Sequence, residues 1–262
     1  MFNKDFGAKS FQKRLFIFLF SQMSSNEKSS IGCFGIGRYR LARKPDKTKC
    51  ETHEQSDDEL ADSVPKVPAI ITWCIEIIEN SSNPHAMSLI YRRHGDWNTV
   101  ERLRMAESEG NYAQLLFQLQ NADLLSVAGL MKRYMYCSRN EPVIPPQHRS
   151  AILYIANKQI SPLDEKIGHL HDVASTFPKE NYLTCEAIFA HLNRLSQRSA
   201  ETFMSPRKLA AIWAPVLFHV ASAQWNVSEL ENAVAVISQE TTAIEIITAH
   251  FSSIFVLKKK TP

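Results

Sequence analysis

Glycine is scarce in this chain, at 8 of 262 residues, which removes collagen-like repeats and glycine-rich low-complexity structure from consideration. The phosphate-cradling G-x-x-x-x-G-K-[ST] loop, the G-x-G-x-x-G turn, the G-x-S-x-G nucleophile elbow and the H-E-x-x-H zinc pair are all absent. The common nucleotide, hydride, hydrolase and zincin chemistries therefore have no sequence support. Five cysteines (Cys33, Cys50, Cys74, Cys137, Cys185) stand singly with no C-x-x-C, which argues against a disulfide framework or zinc knuckle and for a reducing compartment. The nine histidines are equally dispersed. His169 and His171 lie two apart in a helical pattern, hence on different faces, and no metal site is expected.

Long apolar runs are missing as well. Nothing approaches the roughly 20 residues that cross a bilayer. Leu15 to Phe20, LFIFLF, follows Lys13 and Arg14 in the manner of a secretory signal. Six residues fall short of the roughly 7 to 15 such a core needs, and no small-x-small cleavage site follows. Residues 1–32 thus read as a mobile basic leader.

What is present is a globular composition, 44% hydrophobic and 22% charged, with a formal charge of only +3. That small sum hides an asymmetry. Residues 1–50 carry eleven Lys or Arg against three acids, and residues 51–63 carry six acids and no Lys or Arg. From Val64 onward the balance is nineteen basic to eighteen acidic, so the folding part lacks a nucleic-acid-sized basic footprint and no nucleic-acid partner is expected. The basic leader leaves open a weak membrane association.

From Val64 the apolar spacing is helical almost throughout. Val67, Ile70, Ile71, Cys74, Ile75, Ile77 and Ile78 follow a three-and-four rhythm behind Pro65 and Pro68. Val100 to Met105 forms a shorter helix with Asp96 or Asn98 as cap, and Leu124 to Met135 another. The prolines of Asn140 to Pro146 demand an extended loop. Helical patterns resume over Ala151–Ile155, Leu163–Val173, Tyr182–Leu195, Leu209–Leu217 and Leu230–Phe255, and Pro215 should kink or end the fourth of these. With no period-two alternation, the expected class is all-α, a single domain of eight or nine helices. The pattern breaks between residues 81 and 96, where a loop carries Arg92, Arg93, His94 and Gly95.

Four stretches in order carry a resemblance. Val67-Pro68-Ala69-Ile70-Ile71-Thr72-Trp73-Cys74-Ile75 with Glu79 looks like V-P-x-I-V-x-x-C-I with a following I-E. Leu89-Ile90-Tyr91-Arg92-Arg93-His94-Gly95 resembles G-[IL]-[FY]-R-x-S-G. Leu130 to Met135 with Glu141-Pro142-Val143-Ile144-Pro145 is similar to L-L-K-x-[FY]-L…E-P-L-I-P. Phe203-Met204 through Leu209-Ala210, Trp213-Ala214-Pro215 and Leu217 looks like N-x-M-x-x-x-N-L-A-x-x-[FW]-x-P-x-L. Together they resemble the Rho GTPase-activating domain family, with Phe34-Gly35 similar to its opening. The resemblance runs over residues 33–255 and leaves 256–262 as a basic tail.

The resemblance implies a GTPase activator. Arg92 would be the arginine finger, supported by Tyr91, His94 and Gly95, while Lys132, Arg133, Tyr136 and Val216 would meet the GTPase. The implied partner is a GTP-bound Rho-family small GTPase of Rac or Cdc42 type, the opening motif being similar to the Rac-directed branch. No cofactor is expected of this chain, since nucleotide, magnesium and water belong to the partner. The implied location is cytoplasmic, with recruitment to membrane or cytoskeleton left open.

Several positions depart from the family pattern. Leu89 replaces a glycine, Tyr136 a second arginine, Val216 and Thr202 asparagines. One extra residue separates Lys132 from Glu141, so Arg133 or Arg139 could occupy the second arginine's place. Two readings stay open: an activator, and a catalytically weak or inactive module that binds a GTPase or signalling partner as an adaptor.

Overall fold

The computed structural model describes residues 66–138, 141–158, 161–218 and 227–255. The expectations for residues 1–32, for Phe34-Gly35, for Arg139 and for 256–262 lie outside the described residues. Every regular element among the described residues is helical, in twelve α-helical segments, three of them only four residues long. The remaining nine agree with the expected all-α architecture.

The chain enters α1 (Ala69–Glu79) behind Pro68, and Ile70, Ile71, Cys74, Ile75 and Ile78 form its buried stripe. A single turn, α2 (Pro84–Met87), follows, capped by the Asn83 side chain. Asp96 then caps α3 (Trp97–Ser108), accepting from Thr99 N at 2.8 Å. The next helix, α4 (Tyr112–Gln120), is not singled out by hydrophobic spacing, because Leu115, Leu116 and Phe117 come as a run rather than a stripe. Packing selects Leu115 and Leu119, both fully buried, and leaves Phe117 outside. Asp123 opens α5 (Leu124–Arg133), which packs on α1 and α3.

Directly after α5, residues 134–138 form one π-helical turn. Such a turn accommodates an extra residue in a helix. It falls within the stretch where the sequence carries its one-residue excess.

The second half comprises α6 (Pro146–Asn157), α7 (Leu163–Ser175), α8 (Lys179–Gln197), α9 (Ser199–Thr202), α10 (Pro206–Leu217), α11 (Val227–Ala249) and α12 (Phe251–Ile254). Pro215 sits in the last turn of α10, which ends two residues later. The expected single run to Phe255 is broken at His250. The break brings Phe251 and Phe189 against Phe255, with centroids 5.7 and 5.6 Å away. The long α8 touches α1, α10, α11 and α12, and one contiguous core joins all these elements. Its largest fully buried side chain is Trp213. No helix of the described residues is long and apolar enough to cross a membrane.

Among the described residues, three that are not glycine hold a left-handed backbone: Leu89 (φ 55°), Tyr91 (φ 70°) and Phe203 (φ 55°). Phe203 is also 56% exposed, so its ring gains little from burial. Asparagine tolerates this conformation better than phenylalanine, and Phe203→Asn is expected to raise stability by roughly 0.5 to 1 kcal/mol, read from urea unfolding midpoints. An unchanged or lowered midpoint would mean that the turn stores no strain.

Candidate functional site

The segment between α2 and α3 runs antiparallel along α5, fastened at both ends. At its start, Lys132 Nζ donates to the Tyr91 carbonyl at 2.7 Å. At its end, Asp96 N donates to Ser126 Oγ at 3.0 Å. Six residues of helix separate Lys132 from Ser126, about 9 Å of rise, which the intervening loop spans. Gly95 makes the close approach possible: a Cβ there would overlap the backbone N and Cα of Ser126. Glycine is therefore required at this position for space rather than for its φ angle.

Within the loop, Leu89 N donates to the Thr202 carbonyl at 2.7 Å. The amides of Arg92 and Arg93 both turn back to the Leu89 carbonyl, at 2.9 and 3.0 Å. This tight turn leaves the Arg92 side chain exposed. Arg93 is committed to the scaffold, its Nη1 donating to the His85 carbonyl at 3.0 Å. His94 is exposed by area, yet partial burial and the neighbouring Lys132 charge lower its pKa, which keeps the imidazole neutral at pH 7.

Tyr91 is the buried root of the loop. Its ring meets Trp213 edge-on, centroids 4.9 Å apart, and its hydroxyl lies 2.7 Å from His191 Nε2. His191 Nδ1 lies 2.6 Å from Glu79 Oε1. Burial pushes the His191 pKa down, although Glu79 opposes this, so the imidazole is neutral. Burial also works against the Glu79 carboxylate, but hydrogen bonds from His191 and Arg194 outweigh it and hold the pKa below its usual value. A neutral imidazole beside a carboxylate donates through Nδ1 and accepts the Tyr91 proton at Nε2. Arg194 closes the chain at the surface, with Nη2 donating to Glu79 Oε1 at 2.7 Å.

Lys132 is half-buried, and desolvation lowers its pKa to about 8. At pH 7 it still carries its proton. Between pH 8 and 10.5 the unfolded chain keeps a proton that the folded chain has released, so this group makes stability rise with pH across that window, by at most about 3 kcal/mol. Below pH 8 both states are charged and the contribution is flat. Subtracting the stability profile of Lys132→Met from that of wild type should isolate this rise; a flat difference between pH 8 and 10 would show that the ammonium is well solvated.

The structure places the other candidates as follows. Arg133 points toward α3, with its guanidinium 4.6 Å over the Trp97 ring and 3.2 Å from Glu101. Tyr136 is half-buried in the π turn, and Val216 is half-buried against the core. Arg92, His94, Gly95 and Lys132 are thus gathered around one loop, whereas Arg133 turns toward a different neighbour. Sequence reasoning missed His191, Arg194 and Ser126. The available signal was a lone histidine in the apolar stretch Ile188 to Leu192. Among the described residues, no group of three His, Cys, Asp or Glu is arranged to hold a metal ion.

The chain is 31% identical over 153 residues to the GTPase-activating protein rrc-1 of Caenorhabditis elegans, covering 58% of this chain and 19% of that protein. It is 27% identical over 160 residues to the GTPase-activating protein CdGAPr of Drosophila melanogaster, covering 61% of this chain and 8% of that one. The chain therefore spans less than a fifth of the length of these curated relatives. In fold it is similar to the crystal structure of human Rho GTPase activating protein 15, at a TM-score of 0.59 and 20% identity, over 72% of this chain and 84% of that one. The RhoGAP domain model matches residues 68–222, well over half of the 262 residues and the stretch that holds the Arg92 loop, Lys132 and the Trp213 helix; this chain belongs to the RhoGAP domain family.

Proposed function

We propose that this protein accelerates GTP hydrolysis by a Rho-family small GTPase, of Rac or Cdc42 type, by inserting Arg92 beside the reacting phosphate. The single observation that carries the reading is an exposed arginine on a tight turn whose root is buried and whose backbone is tied to Lys132. During phosphoryl transfer, negative charge gathers on phosphate oxygens. A planar guanidinium supplies two directed donors there, and a preorganised loop avoids spending binding energy on ordering it. The nucleotide, magnesium and attacking water belong to the GTPase, so this chain contributes electrostatics and positioning rather than a reaction of its own.

Lys132 supports the turn by donating to the Tyr91 carbonyl and adds positive potential next to His94. Residues 33–255 are assigned to the GTPase-binding module. The Rac or Cdc42 preference rests on the opening motif from Val67 to Ile75. The test is single-turnover hydrolysis by Rac-, Rho- and Cdc42-type GTPases with and without the protein. Stimulation of a Rac or Cdc42 type is the expected result. Binding of the GTP-loaded form without stimulation would replace this reading with the adaptor.

A further inference from the structure

The loop that presents Arg92 is strained twice within three residues, at Leu89 (φ 55°) and Tyr91 (φ 70°). A left-handed backbone is unfavourable for an L-residue with a full side chain, and such conformations persist where the surroundings over-determine them. Leu89 is secured through its amide, which donates to the Thr202 carbonyl. Tyr91 is secured at both ends, its carbonyl by Lys132 and its hydroxyl by His191. Behind it the chain continues through Glu79 to the Arg194 fork, joining α8 to α1 across more than 110 residues of sequence.

We propose that the buried Tyr91–His191–Glu79–Arg194 chain is a positioning device for Arg92, and that it offsets the strain introduced by Leu89 at a turn where glycine would sit freely. Both amides that set the Arg92 backbone bond to the Leu89 carbonyl. If Leu89 relaxes toward negative φ, that carbonyl swings and Arg92 loses its aim. The tyrosine hydroxyl opposes the relaxation by holding the next left-handed residue in register. Its contribution should therefore be large while Leu89 is present and small once the strain is gone. The catalytic part of this inference rests on the finger reading of Arg92; the structural part does not.

The experiment is a double-mutant cycle in the full chain. Tyr91→Phe keeps the ring and its packing on Trp213 and deletes only the hydroxyl. It is made in wild type, in Leu89→Gly and in Leu89→Asn, the last two being residues that accept a left-handed backbone. Two quantities are read: hydrogen exchange of the Arg92 and Arg93 amides in the isolated protein, and stimulated hydrolysis by the GTPase panel resolved into maximal rate and KM.

In wild type, Tyr91→Phe should speed exchange of both amides about tenfold and lower the maximal rate about tenfold, with KM for the loaded GTPase changed less than twofold. In either relaxed background, the same replacement should change exchange and rate less than twofold. A purely structural role would lower the unfolding temperature equally in all backgrounds without splitting rate from KM. Equal effects in every background, or none in any, would overturn the proposal. Should wild type stimulate no GTPase, the functional reading fails while the exchange measurement still decides whether the brace exists.

Discussion

Arg92→Ala is expected to abolish stimulated GTP hydrolysis, lowering the maximal rate by about 10³-fold or more, in the range assigned to a finger supplied in trans. Complex formation with the GTP-loaded GTPase should change little, because charge complementarity at the reacting phosphate is used chiefly in the transition state. Unfolding temperature should stay within a degree or two, since the side chain is exposed and the turn is built from backbone bonds. Arg92→Lys should recover only a small part of the rate, because an ammonium cannot reproduce the two directed donors. Phosphate release under single-turnover conditions, beside a binding titration, separates these effects. Stimulation by Arg92→Ala at the wild-type level would remove Arg92 from the chemistry altogether.

Gly95→Ala should be the most damaging single methyl group in the region. The added Cβ overlaps backbone atoms of Ser126, which sit in the first turn of α5 and cannot rotate aside. Either α3 and α5 separate at their starts or the loop lifts, and in both cases the Asp96 to Ser126 hydrogen bond is lost. Overpacking together with one lost, partly buried hydrogen bond amounts to about 2 to 4 kcal/mol. For a domain of this size that is roughly 5 to 15 °C in unfolding temperature. The stimulated rate should fall with it, since the displaced segment follows Arg92 by only three residues. Gly168→Ala serves as the control: its Cβ would meet nothing within 4 Å, and α7 should gain about 0.5 to 1 kcal/mol of helical preference. Unfolding of Gly95→Ala at the wild-type temperature would show that the loop shifts without cost.

Leu89 illustrates how a departure in sequence acquires meaning only in three dimensions. Read along the chain, a leucine in place of glycine suggests a stiffened or displaced loop. In the structure the leucine itself takes a left-handed backbone, strained, with its amide fastened to the Thr202 carbonyl. Thr202 stands at another departure, yet what it offers the loop is a backbone carbonyl, which any residue carries. The extra residue before Glu141 falls in a stretch that contains a π turn, a turn that accommodates one more residue.

The all-α class, the buried stripe of α1 and the cap at Asp96 were legible in the residues themselves. Each depends on interactions within one turn of chain, where a 3.6-residue period, a side-chain oxygen or a proline acts locally. The partnership of Tyr91 with His191 and Glu79, the turning of Arg133 toward Trp97, and the need for Gly95 against Ser126 belong to the tertiary structure. These contacts join segments 30 to 112 residues apart. Only the packing of α1, α5 and α8 into one core brings such groups within hydrogen-bonding distance, and a one-dimensional pattern carries no record of which buried polar group will find which partner.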